Sequence, residues 1–304
     1  MNPTIDTTFE NLKIDRRKFI DNLMKSGAAL TVLGSLFSFT TKKQFTVQEI
    51  IDLILKEGGL TPLKDTVDTI KIGNADQIVT GIVTTMFPTI TAIKEAARRN
   101  ANFIIAHEPS FYNHNDKSDW VNNNSVLKQK QALLEKHKMV IWRFHDYCHA
   151  LKPDAISYGV AKKANWLSYY KTGEVMLTIP PVSLKQLVQH LKTSLGISHV
   201  RIIGDLSQQC KRIALLPGAW GGQRQVSVAE LEKPDVLIVG EVSEWETAEY
   251  IRDGKLLGGK TALIILGHAV SEEPGMEWFA EWLQPKLPDL KVVHLASGDP
   301  FVWE

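Results

Sequence analysis

Four short apolar runs in this chain each stop on residues of types that can ligate a metal. "ANFIIA" ends at His107 and Glu108, and "MVIWRF" ends at His145 and Asp146 with His149 just beyond. "DVLIVG" ends at Glu241, and "ALIILG" ends at His268 with Glu272 four residues on. Runs of this length, rich in Ile and Val and bounded by polar loops, read as buried strands. Strands buried on both faces and alternating with amphipathic helices define a parallel α/β sheet. In such a sheet the crevice beyond the carboxyl ends of the strands is the usual ligand site. One histidine there is unremarkable; histidines at three such ends are not.

The rest of the chain fits that frame. "TVQEIIDLILKEGG" is an amphipathic helix that opens at Thr46 and stops at paired glycines. "DQIVTGIVTTM" is strand-like, and "PTITAIKEAARRN" carries Ile90, Ile93 and Ala97 at helical spacing. The middle of the chain changes character. "EVMLTIPPVSLKQLVQHLKTSLGISHVRIIGDLSQQCKRIALLPGAWGGQ" reads as strand, helix, strand, strand and a glycine-rich turn. The fold expected is α/β: a mainly parallel sheet domain formed by both ends of the chain (44–165 and 233–304), with a smaller inserted α+β domain (166–232).

The N-terminal 43 residues stand apart as an export signal or disordered arm. "DRRKFID" followed by the charge-free run Ser26 to Thr41 resembles a twin-arginine signal, so an exported, periplasmic or cell-envelope location is expected. Without that signal the protein would be cytoplasmic. The run would reach roughly 24 Å as a helix, short of the ~30 Å hydrocarbon core, so no stable membrane span is expected. A net charge of +1 gives no reason to expect a nucleic-acid partner. Two cysteines, Cys148 and Cys210, leave one disulfide open and make no disulfide framework.

Imidazole and carboxylate together suit zinc, manganese or iron, without a thiolate. His107, Glu108, His149, His268 and Glu272 supply enough donors for two divalent ions, with His145 and Asp146 in reserve. Each residue has an ordinary reading too: Glu108 as the partner of an arginine, His149 as a loop histidine hydrogen-bonded to Asp146, Cys148 as a small buried thiol. His114 and Asp116 read as solvated loop residues. "HEPSF" is not the metalloprotease H-E-x-x-H, and no nucleophile elbow, Walker A loop or Rossmann fingerprint is present. "PGAWGGQ" reads as a tight turn.

The ordered motifs resemble a known family. "IVTGIVTTMFPTITAIKEAARRNANFIIAHEPSFY", "IIGDLSQQCKRIALLPGAWGG", "ALIILGHAVSEEPGMEWFAEWL" and the late "DPF" are together similar to the NGG-interacting-factor-like dinuclear-metal hexameric proteins, also known as type 2 GTP cyclohydrolase I. The resemblance covers nearly everything after Phe45. It implies a homo-hexameric ring, two divalent ions per chain, and His107, Glu108, His149, His268 and Glu272 as ligands, with His145 matching a family histidine. Two positions depart from the pattern it implies: Glu108 stands for a histidine and His149 for an aspartate. Trp245 stands where the family often carries a histidine, with Glu244 beside it.

The function expected is an exported metal-dependent hydrolase acting on a small molecule (a nucleotide, a phosphoester or a cyclic amide) through an activated bridging water. Glu108 or Glu272 would bridge, and Glu244, Glu241 or Asp146 would act as general base or orient a histidine. The alternatives are a non-catalytic metal-binding or scaffold ring, and a GTP cyclohydrolase-like ring opening.

Overall fold

A computed structural model describes residues 43–304. The signal-like segment lies outside those residues. The first helix, α1 (Val47–Glu57), starts where the sequence places it. Thr46 accepts from the Glu49 amide at 3.2 Å, and the Glu49 carboxylate accepts from the Thr46 amide at 2.8 Å. This reciprocal capping box satisfies two donors that a helix start leaves orphaned. The helix then buries Val47, Ile50, Ile51 and Ile54 along one stripe.

The strands form two five-stranded sheets. The first contains β1 (Ile70–Ile72), β2 (Ile82–Thr85), β3 (Phe103–Ala106), β4 (Val140–Arg143) and the last strand, β10 (Val292–His294), in the order β1-β4-β3-β2-β10. Pairing is parallel except at β1, which runs antiparallel along the edge. Helices α2 (Ile90–Arg98) and α3 (Ser125–Lys136) connect β2 to β3 and β3 to β4. Every residue of β2, β3 and β4 is buried, which is why these strands read as unbroken apolar runs. Two short helices follow β4: α4 (Asp146–Ala150) and α5 (Ala155–Lys163).

The second sheet has the order β5-β7-β8-β9-β6, from β5 (Met176–Ser183), β6 (Arg201–Ile203), β7 (Gln209–Leu216), β8 (Val236–Val239) and β9 (Ala262–Ile265). Helix α6 (Leu184–Leu195) follows β5, α7 (Gly222–Glu232) links β7 to β8, and a π-turn at Glu244–Ala248 with α8 (Glu249–Leu256) links β8 to β9. The sequence reading needs correction here. β8 and β9 were expected in the same sheet as β3 and β4, but they pair in parallel with β7 and with each other. The cause is local: β7-α7-β8 and β8-α8-β9 are consecutive crossovers, and each delivers the chain to the strand beside the last one. Of the C-terminal segment, only β10 returns to the first sheet.

Helix α9 (His268–Leu283) follows β9 and packs on α5. Their contact is backbone against backbone. A Cβ at Gly159 would overlap the Pro274 carbonyl and Gly275, and a Cβ at Gly275 would meet Ile156 Cα at 2.6 Å. The same helix anchors the core under the first sheet, where Phe279 lies 4.4 Å from Phe144 and Trp142 lies 5.1 Å from Phe144, ring centre to ring centre. No helix among the described residues is long and apolar enough to cross a membrane.

Candidate metal centre

The carboxyl ends of both sheets meet at one cluster. β3 delivers His107 and Glu108, the turn after β4 delivers His145, and α4 delivers His149. From the second sheet, the turn after β8 supplies Glu241, and the first turn of α9 supplies His268 and Glu272 on one face. The six expected ligands are thus brought together from two sheets rather than one.

The contacts inside the cluster are short. His107 Nε2 lies 3.6 Å from Glu272 Oε2 and 4.0 Å from Glu108 Oε1. Glu108 Oε1 is 3.6 Å from His145 Nε2 and 3.5 Å from His268 Nε2, which is itself 3.1 Å from Glu272 Oε2. The His107, His145 and His149 rings lie 4.7 to 5.1 Å apart, centre to centre. Ligand nitrogens of those three histidines all fall within 4.8 Å of one another, as do ligand atoms of His107, Glu108 and Glu272.

Each histidine is oriented from behind. Nδ1 of His107 faces the Phe144 carbonyl at 3.1 Å, that of His145 the Asp146 carboxylate at 3.0 Å, and that of His149 the Asp154 carboxylate at 2.9 Å. His268 Nδ1 faces Glu241 at 3.1 Å. At His107, His145 and His149 an acceptor at Nδ1 keeps the proton there and leaves the Nε2 lone pair free, whereas His268 Nε2 already faces Glu272 at 3.1 Å. For His107 that atom is fully buried with no hydrogen-bond partner among the described residues, a costly arrangement unless a cation takes the lone pair. Asp146 and Glu241 therefore act here as orienting groups. Glu244, the third candidate base, is exposed and pairs with Arg201 at 2.5 Å.

The electrostatics point the same way. Burial holds the His107 imidazole neutral, well below its usual range, with the charges of His149 and His145 adding to the effect. His145 is also lowered by burial, against the pull of Asp146. Burial would lower His268 too, but Glu108, Glu241 and Glu272 outweigh it and push its pKa up to about 12. The space among those carboxylates favours positive charge. Glu272 is raised by its burial. Glu108 resists the same burial and lies below its usual range because of the His268 hydrogen bond and charge, with His145 and Arg143 adding to it. Buried imidazoles with free Nε2 atoms, beside buried carboxylates, fit divalent ions of the first transition row.

Several supporting residues were not read from the sequence. Asp68 accepts from the backbone amides of His145, Asp146 and Tyr147 at 2.8, 3.1 and 2.7 Å, fixing the turn that carries His145. Arg143, fully buried, reaches Glu108 Oε2 at 3.4 Å and Asp116 at 3.5 Å, and donates from Nε to the His107 carbonyl at 3.1 Å. Asp116 is not the solvated loop residue expected. Its carboxylate is buried between Arg143 and Lys71 and accepts from the Ser110 and Phe111 amides, so it folds the loop back on the site. The turn "PGAWGG" also belongs to the site. Gly218, at φ +76°, abuts the Glu272 carboxylate so closely that a Cβ there would overlap it, and its amide donates to Ser271 Oγ at 2.9 Å. Cys148 and Cys210 are buried free thiols.

Residues 68–300 match the model of the Duf34/NIF3 (NGG1p interacting factor 3) family, and the chain belongs to that family. It is 24% identical over 267 residues to the GTP cyclohydrolase 1 type 2 homolog of Clostridium perfringens, covering 84% of this chain and 95% of that one. Among solved structures it is similar to Staphylococcus aureus protein SA1388, with a TM-score of 0.68, 18% identity, and 86% and 99% of the two chains covered. A Bacillus cereus protein related to NIF3 aligns with a TM-score of 0.66 and 16% identity, over 86% of this chain and all of that one. At these identities the structures speak to fold alone.

Proposed function

We propose that this protein is a metal-dependent hydrolase that holds two divalent ions, zinc, manganese or iron, among His107, Glu108, His145, His149, His268 and Glu272. The observation that carries the reading is the buried, unpartnered Nε2 of His107, facing two carboxylates in a pocket of histidines whose other nitrogens are already taken. Ions bound there supply Lewis acidity toward a substrate oxygen and make a water molecule more acidic. The chain's own part is positioning and charge. Asp146, Asp154 and Glu241 hold three imidazoles at fixed angles. Glu108 and Glu272, buried at the centre of the cluster, are placed to hold the ions. Glu241, 3.1 Å from His268 Nδ1 and open to solvent, is the carboxylate left to take a proton. Glu244 serves less well, because Arg201 neutralises it away from the ligands.

The substrate is a small molecule with a hydrolysable bond. The name of the Clostridium relative supports a cyclohydrolase-type ring opening as one form of that chemistry. A second reading, a metal-binding ring without turnover, is favoured by one observation: exposed Trp245 and a paired Glu244 stand where the family resemblance implies a proton-transfer histidine. In both readings the protein assembles as a homo-hexamer and leaves the cytoplasm through its "DRRKFID" segment.

The test is metal content by mass spectrometry, on protein purified without chelator or histidine tag, followed by a broad hydrolase panel. About two equivalents per chain, lost in a His107→Ala, His268→Ala double variant, are expected. Turnover that Glu108→Gln abolishes while the assembly stays folded supports the hydrolase. A protein that takes up no ion from zinc, manganese or iron solutions ends the proposal.

A further inference from the structure

The donors of this cluster are not surrounded alike. On one side stand three imidazoles, those of His107, His145 and His149, with ligand nitrogens within 4.8 Å of one another. Each has its Nδ1 against an acceptor, and two of those acceptors are the carboxylates of Asp146 and Asp154. A carboxylate behind an imidazole raises its basicity and fixes its direction, so the three Nε2 lone pairs are aimed before any ion arrives.

On the other side stand Glu108 Oε1 and Glu272 Oε2, 3.5 and 3.1 Å from His268 Nε2. Arg143 lies 3.4 Å from the other oxygen of Glu108, so this carboxylate offers the site a single oxygen. Gly218 lets the chain pass directly against the Glu272 carboxylate. Glu241 behind His268 completes a side with three carboxylates and one imidazole. His107 Nε2, 3.6 Å from Glu272 and 4.0 Å from Glu108, and His145 Nε2, 3.6 Å from Glu108, mark where the two sides adjoin.

From these contacts we infer that the centre consists of two chemically unequal positions. His107, His145 and His149 form a nitrogen-rich position for a borderline ion of the zinc kind. Glu108, Glu272 and His268 form an oxygen-rich position for a harder ion of the manganese kind. Imidazole sets favour zinc, copper, nickel or iron, whereas carboxylate sets accept manganese and magnesium. Three imidazoles carry no negative charge of their own to offset an ion's charge at the first position, while the carboxylates offset it at the second. The inference rests on the metal-binding reading above and adds that the protein is a mixed-metal one.

The decisive measurement is a competition on the intact chain. Protein stripped with chelator is offered two equivalents each of zinc and manganese, separated from free ions and analysed by mass spectrometry. One zinc and one manganese per chain are expected. His149→Ala, which leaves the oxygen-rich side intact, weakens zinc retention at least about tenfold and spares manganese. Glu272→Gln does the reverse. Cobalt(II) added as a first equivalent gives a visible absorption band in wild type that His149→Ala lacks and Glu272→Gln keeps. The inference is overturned if a second zinc binds as tightly as the first and displaces manganese, or if each variant loses both ions equally. The wild-type competition decides this even if a variant does not fold. Failure to bind any ion would overturn the metal reading as well, whereas two equal ions would overturn only this inference.

Discussion

Replacing Arg143 with methionine tests the buried charge network behind the site. The guanidinium has no exposed surface; it makes ion pairs with Glu108 and Asp116 and donates to the carbonyls of His107 and His114. Methionine fills much of the same volume but leaves two buried carboxylates short of their cation, with only Lys71 still beside Asp116. Removing one partner of a buried ion pair costs about 3–5 kcal/mol. For a chain of this size that is a fall in Tm of roughly 6–10 °C. Arg143→Lys keeps the charge but cannot reach all four partners, so its Tm should lie between those of wild type and the methionine variant. Asp116→Asn in the Arg143→Met background should cost less than the sum of the two single changes, since the second removes a charge the first left unpaired. Thermal and urea melts followed by circular dichroism give these values, and metal content measured in parallel should fall with Arg143→Met as Glu108 loses its anchor. A methionine variant with wild-type Tm and wild-type metal content would refute the argument that this arginine sustains the site.

Gly218→Ala should destabilise by about 1–2 kcal/mol from the left-handed backbone alone, and should also lower metal content because Glu272 must move. Gly275→Ala, remote from the ligands, should cost about 1–3 kcal/mol through overpacking of α5 against α9 and leave metal content unchanged, as melting and metal analysis would show. Lys130 offers a pH test. Its amine donates to the Ser110 carbonyl at 2.7 Å, and burial, opposed by Asp116, brings its pKa down to about 8 from 10.5. Between those values the unfolded chain binds more protons than the folded one, so the contribution of Lys130 to stability rises with pH from 8 to 10.5. Urea melts at pH 8 and pH 10 should therefore show wild type gaining relative to Lys130→Met; an unchanged difference would contradict the shift.

Some of this molecule was legible in the sequence for identifiable reasons. Helix α1 carries its capping box and apolar stripe in consecutive residues, and β2, β3, β4, β8 and β9 are short runs buried on every residue. The ligand residues stand immediately after such runs, where local pattern suffices. Sheet membership was not legible, because the run "DVLIVG" carries no mark of which strand it will pair with. β1 and β10 are three residues each, too short for a periodicity to register. Asp68 escaped notice because the amides it accepts from lie 77 to 79 residues away. Arg143 and Asp116 read as a strand residue and a polar loop residue; only the folded-back loop between Glu108 and Asp116 turns them into a buried pair.

The division of the donors between two sheets has a consequence for synthesis. His107, Glu108, His145 and His149 are all synthesised before any residue of the second sheet, while His268 and Glu272 follow more than a hundred residues later. A nascent chain thus displays three imidazoles and one carboxylate long before their partners, in a half-site open to whichever ion is abundant nearby. The remaining donors, His268 and Glu272, join the cluster only when the second sheet has folded. If the cluster holds ions as proposed, the direction of translation sets the order in which its donors become available to them.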